Sequence, residues 1–306
     1  GLGGVNSVEV IGKNSVGAWQ SGEEATESES WTVDSDLEGL WLSEVDAPGG
    51  RVELVNRGAT PRDVNGCHVN SVRITGAAPI APHGYLVVAV PALGLSGGVV
   101  TLLDGMAETL DVVEYGLQVE GSTIARLGSN AQWGLAQPTL AGPNRAQPLA
   151  LRGGLKVNEW LLNADSLYLH DFVELFNPAD LPVPLAGLRL EVEPRLAGSP
   201  WLAPPLSFVG ATGHMDVIAD GDPGRGAHHA DFDGSGALGT VISLVDGGVL
   251  IDEVQNNSVD ADVSGGRVPS GGAVVDTFVL PTPGRGREYT LVETVLPLVA
   301  VEDEWL

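Results

Sequence analysis

The chain contains one short block of sequence twice, and this repeat constrains its fold more than any other feature. The two copies are Val52-Glu53-Leu54-Val55-Asn56 and Val173-Glu174-Leu175-Phe176-Asn177. Each copy ends ten residues before a glycine (Gly66, Gly187), and each follows a Ser-Glu or Asn-Glu step (Ser43-Glu44, Asn158-Glu159). Internal self-similarity of this kind indicates two related domains in tandem.

Composition predicts that these domains are built from β-strands. A chain of 306 residues can hold two domains with a core each. Its 42 glycines and 20 prolines, with many valines and leucines, favour short strands joined by turns. No stretch keeps apolar residues at helical spacing over several turns without a glycine or proline. The predicted fold class is therefore all-β.

Strand and turn signals predict the domain boundaries. We expect an N-terminal extension with one strand at 1–37, a first β-sandwich at 38–146, a linker at 147–154, a second β-sandwich at 155–287 and a C-terminal strand extension at 288–306. The strands predicted for the first sandwich are Leu40–Val45, Arg51–Asn56, Cys67–Ile74, Tyr85–Val90, Val99–Asp104, Thr109–Tyr115 and Ser122–Leu127. Those predicted for the second are Leu155–Trp160, Phe172–Asn177, Leu188–Glu193, Met215–Ala219, Val241–Asp246, Leu250–Val254 and Gly266–Val268. About seven short strands per copy is typical of an immunoglobulin-like sandwich.

Charge excludes several classes of partner. The formal net charge is -25, which repels phosphate, so nucleic acid and anionic membranes are not expected as partners. No apolar run approaches the length of a membrane span, and no secretory leader opens the chain. The chain starts at Gly1 without Met, as expected of a processed product or a fragment. An acidic surface with few lysines predicts a secreted, extracellular or cell-surface location, although a GC-rich genome gives the same preference for arginine over lysine.

The single cysteine, Cys67, excludes an intrachain disulfide. It follows Gly66 at a predicted strand start, where a small buried apolar residue is the favoured interpretation. An intermolecular bridge is the alternative.

The second copy resembles a known family. Asn158-Glu159-Trp160, Asp171–Leu190, Leu244–Val254, Gly266-Arg267 and the Pro-Thr-Pro-Gly of Pro281–Gly284 together resemble a bacterial lamin tail domain. The first copy matches through Ser43-Glu44, Val52–Asn56 and Arg126, but Arg57-Gly58 replaces the Asn-Pro step of the pattern.

This resemblance implies an immunoglobulin-like β-sandwich with a structural or interaction role. Such domains occur in nuclear lamins and in secreted bacterial proteins, often beside nucleases or phosphatases, and the pattern brings no catalytic residues. For Glu53, Glu174, Asn56 and Asn177 we therefore favour hydrogen bonding to turn backbone over catalysis.

Two sequence strings match catalytic or phosphate-binding motifs without their structural context. Gly94–Gly98 satisfies G-x-S-x-G, but a nucleophile elbow leads from a strand into a helix and here a strand follows. Gly234–Gly239 satisfies G-x-G-x-x-G, yet it also leads into a strand, where a phosphate site needs a helix. We interpret the first string as a turn and the second as a glycine-rich edge.

The segment from His228 to Gly236 is the best candidate for a metal site. Asp231, Asp233 and Ser235 alternate oxygen ligands as a calcium loop does, but position twelve of that loop is Ile242 where a glutamate is needed. A solvated, charged strand edge is the favoured alternative. A zinc site at His228 and His229 is less favoured, because adjacent side chains of an extended chain point apart. The acids near Arg225 are interpreted as a charged loop, although they could line a cleft; they are Asp216, Asp220 and Asp222.

Aromatic residues raise the question of glycan binding. The seven tryptophans are Trp19, Trp31, Trp41, Trp133, Trp160, Trp201 and Trp305. Sugar stacking is one role for such residues, but their positions beside strands and turns favour a role in the core or at interfaces.

These observations predict a secreted, non-enzymatic structural protein that assembles with itself into a filament or surface layer. The predicted assembly segment is apolar and strand-like, and it comprises Val295, Leu296, Leu298, Val299 and Val301. It could add to a sheet edge of a second copy or fold back on its own domain. The alternative function is a non-catalytic module of a larger secreted hydrolase that binds glycan, cell wall or calcium. No cofactor is predicted apart from this calcium alternative.

Overall fold

The computed structural model of the chain describes residues 39–234 and 236–284, without the side chains of 233 and 234. Before residue 39 it describes residue 12 and the backbone of four short strands. These strands are β1 (Gly4–Asn6), β2 (Glu9–Val10), β3 (Thr26–Glu27) and β4 (Trp31–Val33). They form two antiparallel pairs, β1 with β4 and β2 with β3. One strand was predicted in this extension, and the described backbone has four.

Residues 39–146 form a first unit of ten strands. They are β5 (Leu40–Asp46), β6 (Arg51–Asn56), β7 (His68–Val69), β8 (Val72–Arg73), β9 (Tyr85–Ala89), β10 (Gly98–Leu103), β11 (Thr109–Tyr115), β12 (Thr123–Leu127), β13 (Gln132–Gln137) and β14 (Arg145–Ala146). One sheet has the order β14-β13-β12-β5-β6-β9, and a second has the order β11-β10-β7-β8. Cys67 belongs to the hydrophobic cluster of this unit, as predicted.

Residues 155–284 form a second unit with the same plan. Its strands are β15 (Lys156–Leu161), β16 (Asp171–Phe176), β17 (Val183–Pro184), β18 (Leu188–Glu193), β19 (Arg195–Ala197), β20 (Trp201–Leu202), β21 (Phe208–Val209), β22 (His214–Ala219), β23 (His229–Ala230), β24 (Asp233–Gly234), β25 (Val241–Asp246), β26 (Val249–Gln255), β27 (Ser264–Val268) and β28 (Val274–Phe278). The main sheets have the orders β23-β22-β16-β15-β27-β28 and β20-β18-β25-β26. Within the described residues, helix is confined to the 3₁₀ turns Arg152–Gly154 and Pro223–Arg225.

The fold is thus all-β, as predicted, and each unit has the sheet architecture of a β-sandwich. In each unit a six-stranded and a four-stranded sheet contribute to one hydrophobic cluster. Alternating burial on β18 and β25 is typical of strands with one face in a core. No helix in the described part of the chain is long and apolar enough to span a membrane.

The predicted strand Cys67–Ile74 is wrong, because this segment is a tight hairpin of β7 and β8. Val69 pairs with Val72 across a two-residue turn, and Asn70 has φ 51°. Asparagine tolerates this left-handed conformation, so the Asn70-Ser71 step is a turn signal inside an otherwise strand-like sequence. Asn70 also bonds β10, accepting from Thr101 N (2.8 Å).

The sheets gain several strands that the sequence pattern did not predict. These additional strands are β13, β14, β17, β19, β20, β21, β23, β24 and β28. Most have only two or three residues, which is too short for an alternating pattern. The longer strands β13 and β28 are half exposed and polar, and Gly134 interrupts the first of them.

The repeated acids and asparagines form the same bonds in both units. Asn56 Nδ2 donates to Thr60 O (2.8 Å) and Ile80 O (2.9 Å). Asn177 Nδ2 donates to Leu181 O (2.8 Å) and to Gly210 O (2.7 Å). These bonds to loop backbone confirm the structural interpretation of both asparagines.

A buried glutamate fastens the last segment of each unit. Glu44 accepts from Thr139 N (2.9 Å) and Thr139 Oγ1 (2.9 Å). Glu159 accepts from Thr282 N (2.9 Å) and Thr282 Oγ1 (2.7 Å). The Pro-Thr step at the end of each copy is therefore a partner of the Ser-Glu or Asn-Glu step at its start.

The two units are interlocked through their cores. Leu117 follows β11 in the first unit but is part of the hydrophobic cluster of the second. Phe208, on β21 of the second unit, is part of the cluster of the first. The backbone joins them, because Phe208 N donates to Leu117 O (2.9 Å) and Leu117 N donates to Ser207 Oγ (3.1 Å). Gly116 is needed at this crossing, since a Cβ there would lie 1.9 Å from Ser207 Oγ.

Candidate functional site

The candidate functional site is a cleft of about 490 Å³ between the two units, here called the interunit cleft. Its first-unit wall is the turn at 96–99 with Glu114 and Tyr115, and its second-unit wall includes Trp201 and the 3₁₀ turn Pro223–Arg225. Ala227 N donates to Ser96 O (2.8 Å), which joins the two walls. The cleft therefore depends on the interlocked arrangement of the units.

Aromatic side chains in the cleft are fixed by burial and hydrogen bonds. Trp201 is buried and its Nε1 donates to Ala227 O (2.9 Å). Burial raises the pKa of Tyr115, whose hydroxyl bonds the backbone of Gly94. Trp160 is fully buried in the core of the second unit. The prediction that the tryptophans serve in the core or at interfaces is thus confirmed for Trp160 and Trp201.

One wall of the cleft carries a cluster of titratable side chains around Asp220. The Asp220 carboxylate is 1% exposed and accepts from His229 Nδ1 (2.8 Å) and Arg225 Nη1 (2.6 Å). Burial acts to raise the pKa of Asp220, but the N–H of Asp222, the His229 bond and the charge of Arg225 together hold it below its ordinary value. Asp222 caps the 3₁₀ turn by accepting from Gly224 N (3.1 Å). The acids near Arg225 thus include the cap of a turn and a buried carboxylate paired with an arginine that is half exposed.

The two histidines lie closer together than predicted. The His228 and His229 rings are 4.4 Å apart, because His228 lies in a turn before β23 and only His229 belongs to the strand. The expectation that adjacent side chains point apart is wrong for that reason. Burial, and then the neighbouring His229, lower the pKa of His228. His228 is therefore held as a neutral ring at the pH where ordinary histidines begin to gain a proton.

The predicted calcium ligands are only partly within the described residues. Asp231 accepts from Ser199 N (3.0 Å) and Ser199 Oγ (3.1 Å), and the Ser199 N–H is the main cause that lowers the pKa of Asp231. The side chains of Asp233 and Ser235 lie outside the described residues, although β24 (Asp233–Gly234) pairs with β19. Among the described side chains, no three from His, Cys, Asp and Glu are grouped for a metal ion. The calcium loop stays a prediction.

The two motif strings occur in turns that lead into strands. Ser96 lies in a turn just before β10, so the nucleophile-elbow context of strand, turn and helix is missing there. The described residues between Gly236 and β25 are likewise turn and coil, and β25 follows. The interpretation of Gly94–Gly98 as a turn is confirmed. The second string begins at Gly234 in the short strand β24, and its residue 235 lies outside the described residues.

A buried carboxylate pair occurs in each unit but is enclosed. Glu44 lies opposite Glu53 in the β5–β6 register, and Glu159 lies opposite Glu174 in the β15–β16 register. All four are buried. General acid–base chemistry requires contact with the proton of a substrate, and these carboxylates are bonded to the protein's own backbone and side chains. Their arrangement stabilises the fold.

Glu53 provides a pH-dependent test of this interpretation. Burial raises its pKa above the ordinary 4.5, the charge of Glu44 adds to the rise, and bonds from Ser43 and Ala141 N–H oppose it. The folded protein therefore keeps a proton on Glu53 longer than the unfolded chain does. Wild-type stability should fall as pH rises from about 4.5 through the raised folded pKa.

We expect Glu53→Gln to remove this fall, because an amide keeps the acceptor for Ala141 N–H without the charge. In urea unfolding across a pH series, the stability of the variant relative to wild type should increase as pH rises from 4 to 8. The control is Glu44→Gln, which cannot accept every bond from Thr139 and should lose about 1–3 kcal/mol. If the stability of Glu53→Gln relative to wild type instead decreased with rising pH, the raised pKa of Glu53 would be contradicted.

Two features of the structure were not predicted from the sequence. One is the exchange of Leu117 and Phe208 between cores, which builds the cleft. The other is a pocket of about 340 Å³ on the first unit, lined in part by Trp41, Arg57 and Tyr85. Its only sequence signal is the departure of Arg57-Gly58 from the Asn-Pro step.

Comparison of the chain with family models, with curated proteins and with solved structures gives no match. The resemblance to a lamin tail domain therefore remains a prediction from the residues that carry it.

Proposed function

We propose that this protein is a secreted, non-enzymatic structural subunit that assembles with itself outside the cell. In this proposal its two units are lamin-tail-like sandwiches of the immunoglobulin type. The shared bonds of the two copies support this relationship, because Glu44 and Glu159 fasten equivalent segments and Asn56 and Asn177 bond equivalent loops.

The observation that carries the proposal is the interlocked core. A subunit of a filament or surface layer must hold its parts in a fixed relation, or spacing is lost along the polymer. Leu117 and Phe208 each complete the core of the other unit. Separating the units would expose both side chains to water, so the pair should move as one body.

Edge strands offer a means of joining copies. Among the described strands, β26 is the last of its sheet and pairs with β25 alone. Its Val249 and Leu250 are 69% and 54% exposed. An apolar edge strand accepts an extended segment of another chain through main-chain hydrogen bonds. The predicted assembly residues Val295–Val301 lie outside the described residues, and we propose them as the donated segment.

Assembly is tested by electron microscopy and light scattering of the full chain and of a chain ending at Arg287. We expect filaments or large particles from the full chain and monomers from the shorter one. Val299→Asp should block assembly while both units stay folded by circular dichroism, because a charge in a donated strand must be desolvated.

The matched control is Val259→Asp, which places the same charge on a 51% exposed valine in a loop. It should leave particle size unchanged. Monomers from the full chain with and without added calcium, or equal effects of the two substitutions, would overturn the assembly proposal.

A binding module of a larger secreted hydrolase is the second candidate, and the interunit cleft favours it. A cavity of about 490 Å³ with buried Trp201 and a few polar groups has the size and lining of a ligand site. Calcium or glycan binding in the interunit cleft of a chain that does not assemble, with a reading frame that continues into a catalytic domain, would support this candidate instead.

A further inference from the structure

The pocket on the first unit, here called the Arg57 pocket, is separate from the interunit cleft. It occupies about 340 Å³ and is lined by Trp41, Arg57, His83, Tyr85, Arg126 and Asn144 among others. Trp41 and Tyr85 lie on either side of Val55 in the sheet, because β5 and β9 both pair with β6 at that residue. The pocket therefore stands on the rigid strands of the first unit.

The charge of this pocket is opposite to that of the chain. The protein has 40 acidic residues and a net charge of -25, yet no aspartate or glutamate lines the pocket. The Arg57 guanidinium lies 4.0 Å from the centre of the Trp41 ring. No acidic residue in the described part of the chain forms an ion pair with it, whereas Arg126 is neutralised by Asp111.

Stacking orients the free guanidinium for recognition. A guanidinium on an aromatic face keeps its N–H groups at its edge, where they can donate to a planar carboxylate in pairs. The Arg126 guanidinium also packs against Trp41, 4.9 Å from the centre of its ring, and helps to fix the ring in place. The cation is thus held in position before any ligand binds.

The second unit serves as an internal comparison, because the same place is filled there. Lys156 and His214 lie on either side of Phe176, as Trp41 and Tyr85 do around Val55. The Phe176 and His214 rings stack at 4.4 Å, and Gly271 packs so closely that a Cβ there would lie 3.0 Å from Phe176. Pro178 follows the repeated block where Arg57 does in the first unit. One framework therefore carries a packed surface in one copy and a cationic pocket in the other.

We propose that the Arg57 pocket binds a carboxylate-bearing sugar, a uronic acid residue of an extracellular glycan. Arg57 bonds the carboxylate, and the Tyr85 and His83 side chains bond ring hydroxyls. The net negative charge of the chain disfavours densely charged polyanions such as nucleic acid. A glycan that presents single carboxylates on a neutral frame fits both the local cation and the overall charge.

The test is calorimetric titration of the full chain with short oligogalacturonides and with neutral galactose oligosaccharides of the same length. We expect binding of the acidic sugar, weakening with added salt, and none of the neutral one. Arg57→Ala should weaken binding about tenfold or more, because one charge-assisted bidentate contact is lost. Arg189→Ala removes an exposed arginine of the second unit and is the matched control, with binding unchanged.

The fold of each variant is checked by thermal unfolding. If Arg57→Ala does not fold, Tyr85→Phe gives an independent test. This change removes only the hydroxyl and should also weaken binding of the acidic sugar. Equal binding of neutral and acidic sugars, tighter binding of an acidic peptide, or binding unaffected by Arg57→Ala would overturn the proposal. Assembly is measured on the same variants, so loss of sugar binding with intact filaments leaves the structural function standing.

Discussion

Phe208→Ala is expected to destabilise the first unit, although Phe208 lies in the second unit by sequence. The side chain is 6% exposed and fills part of the core of the first unit, while its backbone pairs within the second. Removing a buried phenylalanine leaves a cavity and costs about 3–5 kcal/mol. Hydrogen exchange of the β6 peptide, in the first unit, should report this loss directly.

The control for this experiment is Leu202→Ala. Leu202 is exposed and lies on β20 of the second unit, so its loss should change stability by less than about 0.5 kcal/mol. In the reverse direction, Leu117→Ala should speed exchange in β16 of the second unit. A loss confined to the second unit after Phe208→Ala would contradict the interlocked arrangement.

Arg267→Ala is expected to have the second large effect, about 3 kcal/mol, because it leaves Asp252 buried beside fewer positive charges. Arg267 Nη2 lies 3.2 and 3.0 Å from the two Asp252 oxygens, and its Nε donates to Val157 O (2.8 Å). In this variant Asp252 still accepts from Val157 N (2.9 Å) and still has the Lys156 ammonium at 3.2 Å. The expected loss of stability is therefore near the lower limit for breaking a buried ion pair.

A double-mutant cycle separates the pair from its surroundings. Arg267→Ala with Asp252→Ala should be less destabilised in urea than the sum of the single variants, because no unpaired charge remains. Lys156→Ala is the control and should cost at most about 1 kcal/mol, since its side chain is partly exposed. Additive losses would show that the two side chains act independently.

The same cycle can be run in the first unit, where Arg126 and Asp111 repeat the geometry. Arg126 Nη2 lies 2.8 and 2.9 Å from the Asp111 oxygens, its Nε donates to Leu42 O (3.0 Å), and Leu42 N donates to Asp111 (2.9 Å). Arg126 and Arg267 are visible in the sequence as parts of the repeat, but their acidic partners are not. Those partners follow from the equivalent places of β11 and β26 in the two sheets.

Much of the fold could be predicted because its long strands carry local signals. β6, β11, β18 and β25 match their predicted bounds, since each apolar pattern ends at or just before an asparagine, glycine or proline. The hairpin at Asn70 was missed because an asparagine turn can stand inside a strand-like pattern. Short bridging strands such as β17 and β21 were missed because their pairing is decided by residues far away in sequence.

The candidate sites were less predictable than the fold. Glu53, Glu174, Asn56 and Asn177 could be assigned structural roles because the family resemblance brings no catalytic residues and such side chains bond turn backbone. The Arg57 pocket is formed by residues of four strands, β5, β6, β9 and β12, and of the turns and loops beside them. Only the departure of Arg57 from the repeat was visible in the sequence. The exchange of Leu117 and Phe208 leaves no sequence signal, since a buried apolar residue has the same pattern whichever core it enters.

This exchange also affects how the protein is made. The ribosome releases residues 39–146 well before Phe208, so the first unit emerges with a place in its core that only the second can fill. Domains made in sequence usually fold one after another, but here the earlier one must wait for the later one to become complete. A cut, a deletion or a recombination event between the two would therefore leave both units with an incomplete core.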